Sequence, residues 1–233
     1  VLEHLAGVEQ KLERYENRDT ELKQLETALE KCRTAVTKAA RRLTSARKKA
    51  AEELRSIIES ELKDLGMQHC QFSVEFTAIE PGNNGADEVA FLISPNLGEP
   101  LRPLVDIASG GEISRIMLAI KTAFAEKDTI PVLIFDEIDV NIGGKTATIV
   151  GKKLGALART HQILCITHLP QVASRGKRHY HVYKDESGRE TITRIKLLSA
   201  DERVREVARL LSGSEITEIA IKNAKELIKA AKN

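Results

Sequence analysis

Asp136 and Glu137 follow one apolar run, VLIF (132–135), and His168 follows another, ILCIT (163–167). Short apolar, β-branched runs of this kind read as buried strands. In open α/β sheets ligands sit beyond the carboxyl ends of the strands, so both carboxylates and the imidazole would project into one crevice. The chemistry this allows is that of phosphates. One carboxylate would hold Mg²⁺, the second would orient or deprotonate water, and the imidazole would stand near the reacting phosphate. Each strand end taken singly reads equally well as a polar turn or a loop cap. Together, with a helix-length segment between them, they favour the chemical reading.

The residues just beyond the acid pair, GGKT (143–146), look like the tail of a phosphate loop. That loop requires G-x-x-x-x-G-K-[ST], so that backbone N–H groups wrap the phosphates before the lysine reaches them. Its first glycine would fall on Asp139, a negative charge where a phosphate would lie, and no other stretch fits the pattern. GGKT therefore reads as a loop entering a helix.

IASGGEISR (107–115) carries a third signal. Ser109 and Glu112 fit the S-x-x-E capping box of a helix start. The box does not account for Gly110 and Gly111, since glycine costs roughly 1 kcal/mol relative to alanine inside a helix. Glycines at a helix N-terminus let another group approach the backbone, and free N–H groups with the helix dipole suit an anion.

The elements that must position these groups can be read by periodicity. From Val1 to about Leu65 there is no proline, and Val8, Tyr15, Leu22, Leu29, Val36, Leu43, Ala50 and Ile57 recur every seven residues. A companion stripe runs through Leu5 and Leu12, then shifts by one residue to Leu25, Cys32, Ala39 and Ala46, suggesting a local break in register near Asn17–Asp19. Sustained heptads mean a coiled coil, and one helix cannot bury its own stripe. After Gly66, strands are expected over Gln71–Ile79 and Glu88–Ser94, separated by PGNNGAD. Helix (Glu112–Glu126), strand (Val132–Phe135), helix (about Lys145–Arg159) and strand (Ile163–Thr167) then alternate, the mark of a parallel α/β sheet. A strand pair around HYHVYK and ETITRIKLL and a helical end from Asp201 complete the reading. It gives two domains, 1–65 as a coiled-coil arm strand and 66–233 as an α/β lobe.

Composition excludes several classes. The chain has 233 residues, 30% charged and 3% aromatic, with a net charge of +2, so overall charge points to neither nucleic acid nor membrane. Three scattered cysteines, Cys32, Cys70 and Cys165, offer no zinc or disulfide framework and fit a reducing cytosol. No apolar run approaches the roughly 18 residues of a membrane span. The first residues lack both a starting Met and a signal-peptide core, and the chain reads as a fragment of something longer. One local patch stands out: Lys31, Arg33, Lys38, Arg41, Arg42, Arg47, Lys48 and Lys49 lie in a stretch without an acidic residue. On a coiled coil this is ordinarily a solvated face; the alternative is phosphate-backbone binding.

ASGGE, VLIFDE and CITHLPQVA, in that order and spacing, resemble the signature motif, Walker B and switch histidine of ABC-type ATPase heads. The heptad arm makes the chain similar to their SMC-like branch. The wording of IASGGEISRIMLAIK, LIFDEIDVNIGGK, THLPQVAS and ERVREVARLLSG is closer still to the C-terminal half of the RecN family of bacterial DNA-repair proteins. The likeness covers nearly the whole chain, least specifically in the coiled coil.

The resemblance implies the C-terminal lobe of an ABC/SMC-type P-loop NTPase head, a parallel sheet with flanking helices, preceded by a long coiled-coil helix. It implies ATP and Mg²⁺ as cofactors. Asp136 would hold the metal through water, Glu137 would activate the attacking water, and His168 would contact the γ-phosphate. Ser109, Gly110, Gly111 and Glu112 would meet ATP held by a second head of a homodimer. Gly143 stands where SMC heads carry the D-loop Asp, leaving Asp139 and Asn141 as substitutes. The Walker A lobe and the second arm strand would come from the N-terminal half of the same protein, without which the fragment should be inactive. DNA would be a partner, with Arg41, Arg42, Arg47, Lys48 and Lys49 as candidate contacts. The implied work is ATP-gated DNA holding in double-strand break repair and recombination, in the bacterial cytoplasm at the nucleoid. Two rivals remain: a coiled-coil scaffold with a vestigial nucleotide site, and a metal-dependent nuclease using Asp136, Glu137, Asp139 and His168.

Overall fold

The computed structural model describes residues 2–107, 109–125, 127–185, 191–213 and 215–231. Val1, Ala108, Glu126, Glu190 and Asn233, which bound or interrupt elements expected above, lie outside the described residues. Helix α1 (Leu2–Asp64) runs unbroken for 63 residues. It is rich in Ala, Leu, Glu, Lys and Arg and free of proline, which is what a helix of that length needs. It passes through Asn17–Asp19 without interruption, so the shift of the apolar stripe moves the seam and does not break the helix. That seam is uncovered: Leu5, Val8, Leu12, Tyr15, Leu22, Leu25, Leu29 and Val36 are all exposed.

The chain forms two compact units, Val1–Glu53 with Val74–Ala90, and Leu54–Ser73 with Phe91–Asn233. Strands β1 (Gln71–Gly82) and β2 (Gly85–Ser94) are hydrogen-bonded neighbours that extend well into the expected turn. In the first unit their far ends lie against α1. Thr44 Oγ1 donates to the Asp87 carboxylate at 2.8 Å, and Arg47 reaches the Asn84 carbonyl at 2.7 Å. Gly85, at φ +102, allows this approach, since a Cβ there would stand 2.8 Å from the Leu43 side chain.

In the second unit the core gathers Ile58, Leu62 and Leu65 with Phe72, Ile93, Ile116, Leu118, Leu133, Phe135, Val150 and Leu154. Two-residue β3 (Arg102–Pro103) pairs antiparallel with β2. Helix α2 spans Gly110–Ala123, so both glycines lie inside it. Strands β4 (Val132–Phe135) and β5 (Gln162–Cys165) pair in parallel, joined through helix α3 (Gly144–Leu157). A short α4 (Pro170–Ala173), an antiparallel pair β6 (Tyr180–Asp185) and β7 (Ile192–Leu197), and helices α5 (Ala200–Ser212) and α6 (Glu218–Ala230) complete the order. The observed class is the expected one: mixed α/β, with a long helix first and then a parallel pair with flanking helices.

The parallel pair departs from expectation in one respect. Leu133 and Phe135 are buried, but Val132, Ile134, Leu164 and Ile166 are exposed, Ile134 at 69%. Parallel sheets are ordinarily covered on both faces. The other face of this one is bare.

Candidate functional site

The turn after β4 is held from two sides. Toward α2, Ser114 Oγ donates to the Asp136 carbonyl at 2.6 Å and Arg115 Nη1 donates to the Val140 carbonyl at 3.0 Å. Arg115 is buried, and that burial lowers its pKa. Within the turn, the Glu137 N–H donates to Asp136 Oδ1 at 2.8 Å. Glu137 itself sits at φ 56, left-handed backbone that a non-glycine residue adopts at a cost of order 1–3 kcal/mol. Both Asp136 and Glu137 are exposed.

On the other side the turn is joined to the loop after β5. Asp139 is 3% exposed, and its Oδ2 accepts from Thr167 Oγ1 at 2.5 Å, His168 N–H at 2.9 Å and Leu169 N–H at 3.2 Å. His168 Nδ1 stands 3.2 Å from the same oxygen, while the His168 side chain is 67% exposed. The ladder continues past the strands, with the Ile166 N–H donating to the Phe135 carbonyl at 2.9 Å. Between these strand ends the Cys165 thiol is pushed up to about 12, by burial first and then by Asp139 and Asp136. The two strand ends named from sequence therefore belong to one bonded cluster.

Gly110 and Gly111 serve a contact within the chain. A Cβ on Gly110 would fall 1.9 Å from Glu137 Oε2, and one on Gly111 would crowd the Glu137 carbonyl and Val140 at 3.2 Å. Within this chain, the group that approaches the glycines is its own Glu137. The Glu137 carboxylate lies against the first turn of α2, where the helix dipole favours negative charge. Ser109 caps α2 by accepting from the Glu112 N–H at 3.4 Å and remains exposed. Glu112 is half-buried and acts electrostatically on Cys70 and Arg115.

The structure separates the remaining sequence candidates. Asp139, named as a stand-in for the D-loop carboxylate, is turned inward with Oδ2 occupied. Asn141 is exposed at φ 60, a conformation asparagine tolerates. Gly143 caps α3 in extended conformation, with nothing near its Cβ position, so GGKT opens a helix as its spacing required. Of the basic residues, Arg47 is engaged by Asp87 and Asn84, and Lys48 Nζ lies 6.0 Å from the Phe76 ring centroid. Arg41, Arg42 and Lys49 are exposed. Sequence reasoning missed Ser114, Arg115 and Thr167. Thr167 directly precedes His168, and Ser114 and Arg115 end the quoted glycine motif, so position was the available signal.

Among the described residues, no three His, Cys, Asp or Glu side chains are grouped to hold a metal ion. A two-metal nuclease centre does not fit this donor set. A single carboxylate suits Mg²⁺, which is commonly held by one or two carboxylates together with substrate phosphates. Asp136, exposed and with Oδ1 taken by an N–H, fits that lesser role.

No family model matches the chain. Curated relatives do. The chain is 39% identical to the DNA repair protein RecN of Halalkalibacterium halodurans over 236 residues, 99% of this chain and 42% of that protein. The chain is a RecN homologue. RecN of Bacillus subtilis is 37% identical over 99% of this chain and 43% of its own length, and RecN of Haemophilus influenzae 46% identical over 78% and 33%. The chain thus spans less than half the length of the RecN proteins it matches, and in the first two the likeness includes the helical arm. Among solved structures it is similar to one described under "ATP-driven dimerization and DNA stimulated activation of SMC ATPases", at TM-score 0.43 and 16% identity over 73% of this chain and 99% of that one. It is also similar to the Smc head domain with coiled coil and joint from Pyrococcus yayanosii, at TM-score 0.46 and 17% identity over 81% and 30%.

Proposed function

We propose that the chain is the C-terminal part of an SMC-like ATPase of DNA double-strand break repair and recombination, with residues 1–65 as one arm strand and 66–233 as the C-terminal lobe of the head. The observation that carries the reading is the Glu137 carboxylate lying against Gly110 while Asp139 ties the same turn to His168. Acid pair, histidine and glycine-edged helix start, far apart in sequence, form one platform. Asp136 would hold Mg²⁺, which would supply charge neutralisation at the phosphates. Glu137 orients and deprotonates the attacking water, and His168 stands beside the γ-phosphate. Ser109, Gly110, Gly111 and Glu112 meet ATP bound by the second head of a homodimer, with Asn141 as the exposed D-loop residue.

The bare face of β4–β5 and the open seam of α1 support a complementary N-terminal half carrying the phosphate loop and the second arm strand. The fragment alone should then hydrolyse ATP negligibly, because groups that hold the β- and γ-phosphates are missing. In the intact protein, Glu137→Gln keeps ATP binding, slows hydrolysis by about 10²–10⁴-fold and traps dimeric heads. Undiminished turnover in that variant would remove Glu137 from the mechanism. ATP-independent dimerisation with no turnover in the wild type would instead favour the scaffold reading. No helix among the described residues is long and apolar enough to cross a membrane. The proposed place of work is the bacterial cytoplasm, at the nucleoid.

For DNA, the arm narrows the basic stretch. Lys31, Lys38, Arg42 and Lys49 follow one another at spacings of seven, four and seven, which keeps them within roughly 40° on a helix. Ala40, Thr44 and Arg47 occupy the opposite face, toward the hairpin, and the heptad seam lies between. All four cations, like neighbouring Arg41, are exposed. This row, without Arg47 and Lys48, is the proposed contact with the phosphate backbone. Changing the four to Gln should lower the slope of log affinity against log salt by about 3–4. An unchanged slope would exclude the row.

A further inference from the structure

We infer that Gly151 is a positioning residue for His168: it sets how closely α4 seats on α3, and so where the histidine stands relative to the acid turn. The two helices continue the two loops of the proposed site. Helix α3 begins at Gly144, shortly after the turn that carries Asp136, Glu137 and Asn141, and α4 begins at Pro170, just beyond His168. Little slack separates α4 from the histidine. Proline fixes the backbone at the first residue of the helix, and the Leu169 carbonyl accepts from the Val172 N–H at 3.1 Å and the Ala173 N–H at 3.0 Å. A displacement of α4 therefore passes to His168 within one turn.

The seat is narrow at one point. Helix α3 carries Gly151 and Gly155 in its interior, although glycine weakens a helix there. Gly155 is exposed, and its Cβ position meets nothing within 4 Å. Gly151 is buried, and a Cβ there would stand 3.0 Å from the Gln171 carbonyl oxygen and 2.9 Å from Arg175 Cδ. The Arg175 side chain can swing away, but the Gln171 carbonyl belongs to the backbone of α4 and moves only with it. One heptad earlier, on the same face of α3, the Gly144 Cβ position lies 3.4 Å from Gln171 Nε2, an ordinary contact. Gln171 thus lies along α3 from its first turn to Gly151, and only Gly151 is at the limit of approach. At its other end α4 is held by Arg203 Nη2, which donates to the Ser174 carbonyl at 2.6 Å. A side chain at position 151 therefore displaces the end of α4 nearest His168. The meaning for hydrolysis rests on the ATPase reading above; the spacing of the helices does not.

Amide NMR spectra of the 233-residue chain read the position, and turnover by the intact protein reads its use. Gly151→Ala should shift the amide resonances of His168 and Leu169, whose N–H groups donate to Asp139. Gly155→Ala, the same change in the same helix, should leave them in place, as should Gly144→Ala, which touches Gln171 without crowding it. Arg175→Ala added to Gly151→Ala clears the flexible side chain and leaves the carbonyl crowded, so the shift should persist. That double variant also relieves the closest contact, and it tests the inference even where Gly151→Ala alone destabilises the fold. In the intact protein Gly151→Ala should lower kcat by about 3–10-fold with KM for ATP held within about twofold, since misplacement by about 1 Å can cost about 10²-fold and this one is smaller. Resonances that Gly151→Ala leaves unmoved, that Gly155→Ala moves equally, or that Arg175→Ala restores overturn the inference. So do shifted resonances with an unchanged kcat. An intact wild type without ATP turnover removes the ATPase reading instead, and the amide spectra still decide the position.

Discussion

Glu137 combines a left-handed backbone with a side chain laid along Gly110, and each feature can be tested by a single substitution. At φ 56 a Cβ is a liability, so Glu137→Gly should be more stable than Glu137→Ala by about 1 kcal/mol in urea unfolding. Equal stabilities would mean that the turn adopts another backbone. Gly110→Ala places a methyl where Glu137 Oε2 lies, and the exposed glutamate swings aside rather than the helix unwinding. The expected result is a midpoint of unfolding close to wild type, with hydrolysis by the intact protein reduced by about 10²-fold or more. Full activity would show that the working position of Glu137 is not the one against α2. The acids and the histidine were legible because each ends an apolar run. The purpose of the glycines was not: sequence shows that something must approach, and only coordinates show that it is Glu137. The inward turn of Asp139 was hidden for the same reason, since a carboxylate in a turn looks alike in sequence whether it faces water or its own chain.

Elements were legible where periodicity is strong and less so where side chains compete. The strands of the parallel pair and the helix between them fall within three residues of their expected bounds, whereas PGNNGAD, rich in turn formers, is largely absorbed into β1 and β2 by the contacts of Asp87 and Asn84 with α1. The capping signal also discriminates. Ser109–Glu112 forms only its side-chain-to-N3 half, while Ser199–Glu202 at the start of α5 forms both. Glu202 is held down to about 2 by its hydrogen bond to Lys196, then by those to Ser199. The depressed value means that this contribution is fully present above the ordinary value of 4.5 and is lost as pH falls through about 2. The Ser199 amide resonance should therefore titrate with a midpoint near 2, and a midpoint near 4.5 would mean an open box. A second tie belongs to α3: Lys153 Nζ contacts Glu61 at 2.6 Å and Asp64 at 2.9 Å near the end of α1. Burial opposes its charge, but the bonds to Glu61 and Asp64 outweigh it and raise its pKa. Lys153→Met should cost about 1–2 kcal/mol, measured by denaturant midpoint.

At the scale of the molecule, the uncovered surface is organised by secondary-structure period. Along α1 the exposed large apolar residues are the heptad set itself, and on β4–β5 they are the alternate residues of one face. Scattered apolar residues on a surface need no explanation, but a stripe at seven-residue spacing along 63 residues, about 95 Å of helix, is a continuous seam. Water penalises that seam until another helix covers it, and heptads bury one another by knobs-into-holes packing. The chain by itself therefore has one ready partner in solution, which is a second copy of α1. Purified alone, it should associate in a concentration-dependent way, with helicity of the arm rising as it does. Leu22→Glu with Leu29→Glu places two charges at successive positions of the seam and should return the chain to a monomer in sedimentation equilibrium. Joined to an N-terminal half whose heptads match, the wild-type arm should lose this self-association, because the seam is then filled from within the same molecule. A chain that stays monomeric at high concentration without that half would show that the stripe does not behave as a coiled-coil seam. It would take with it the argument that the arm needs a second strand, while leaving the chemistry of the head untouched.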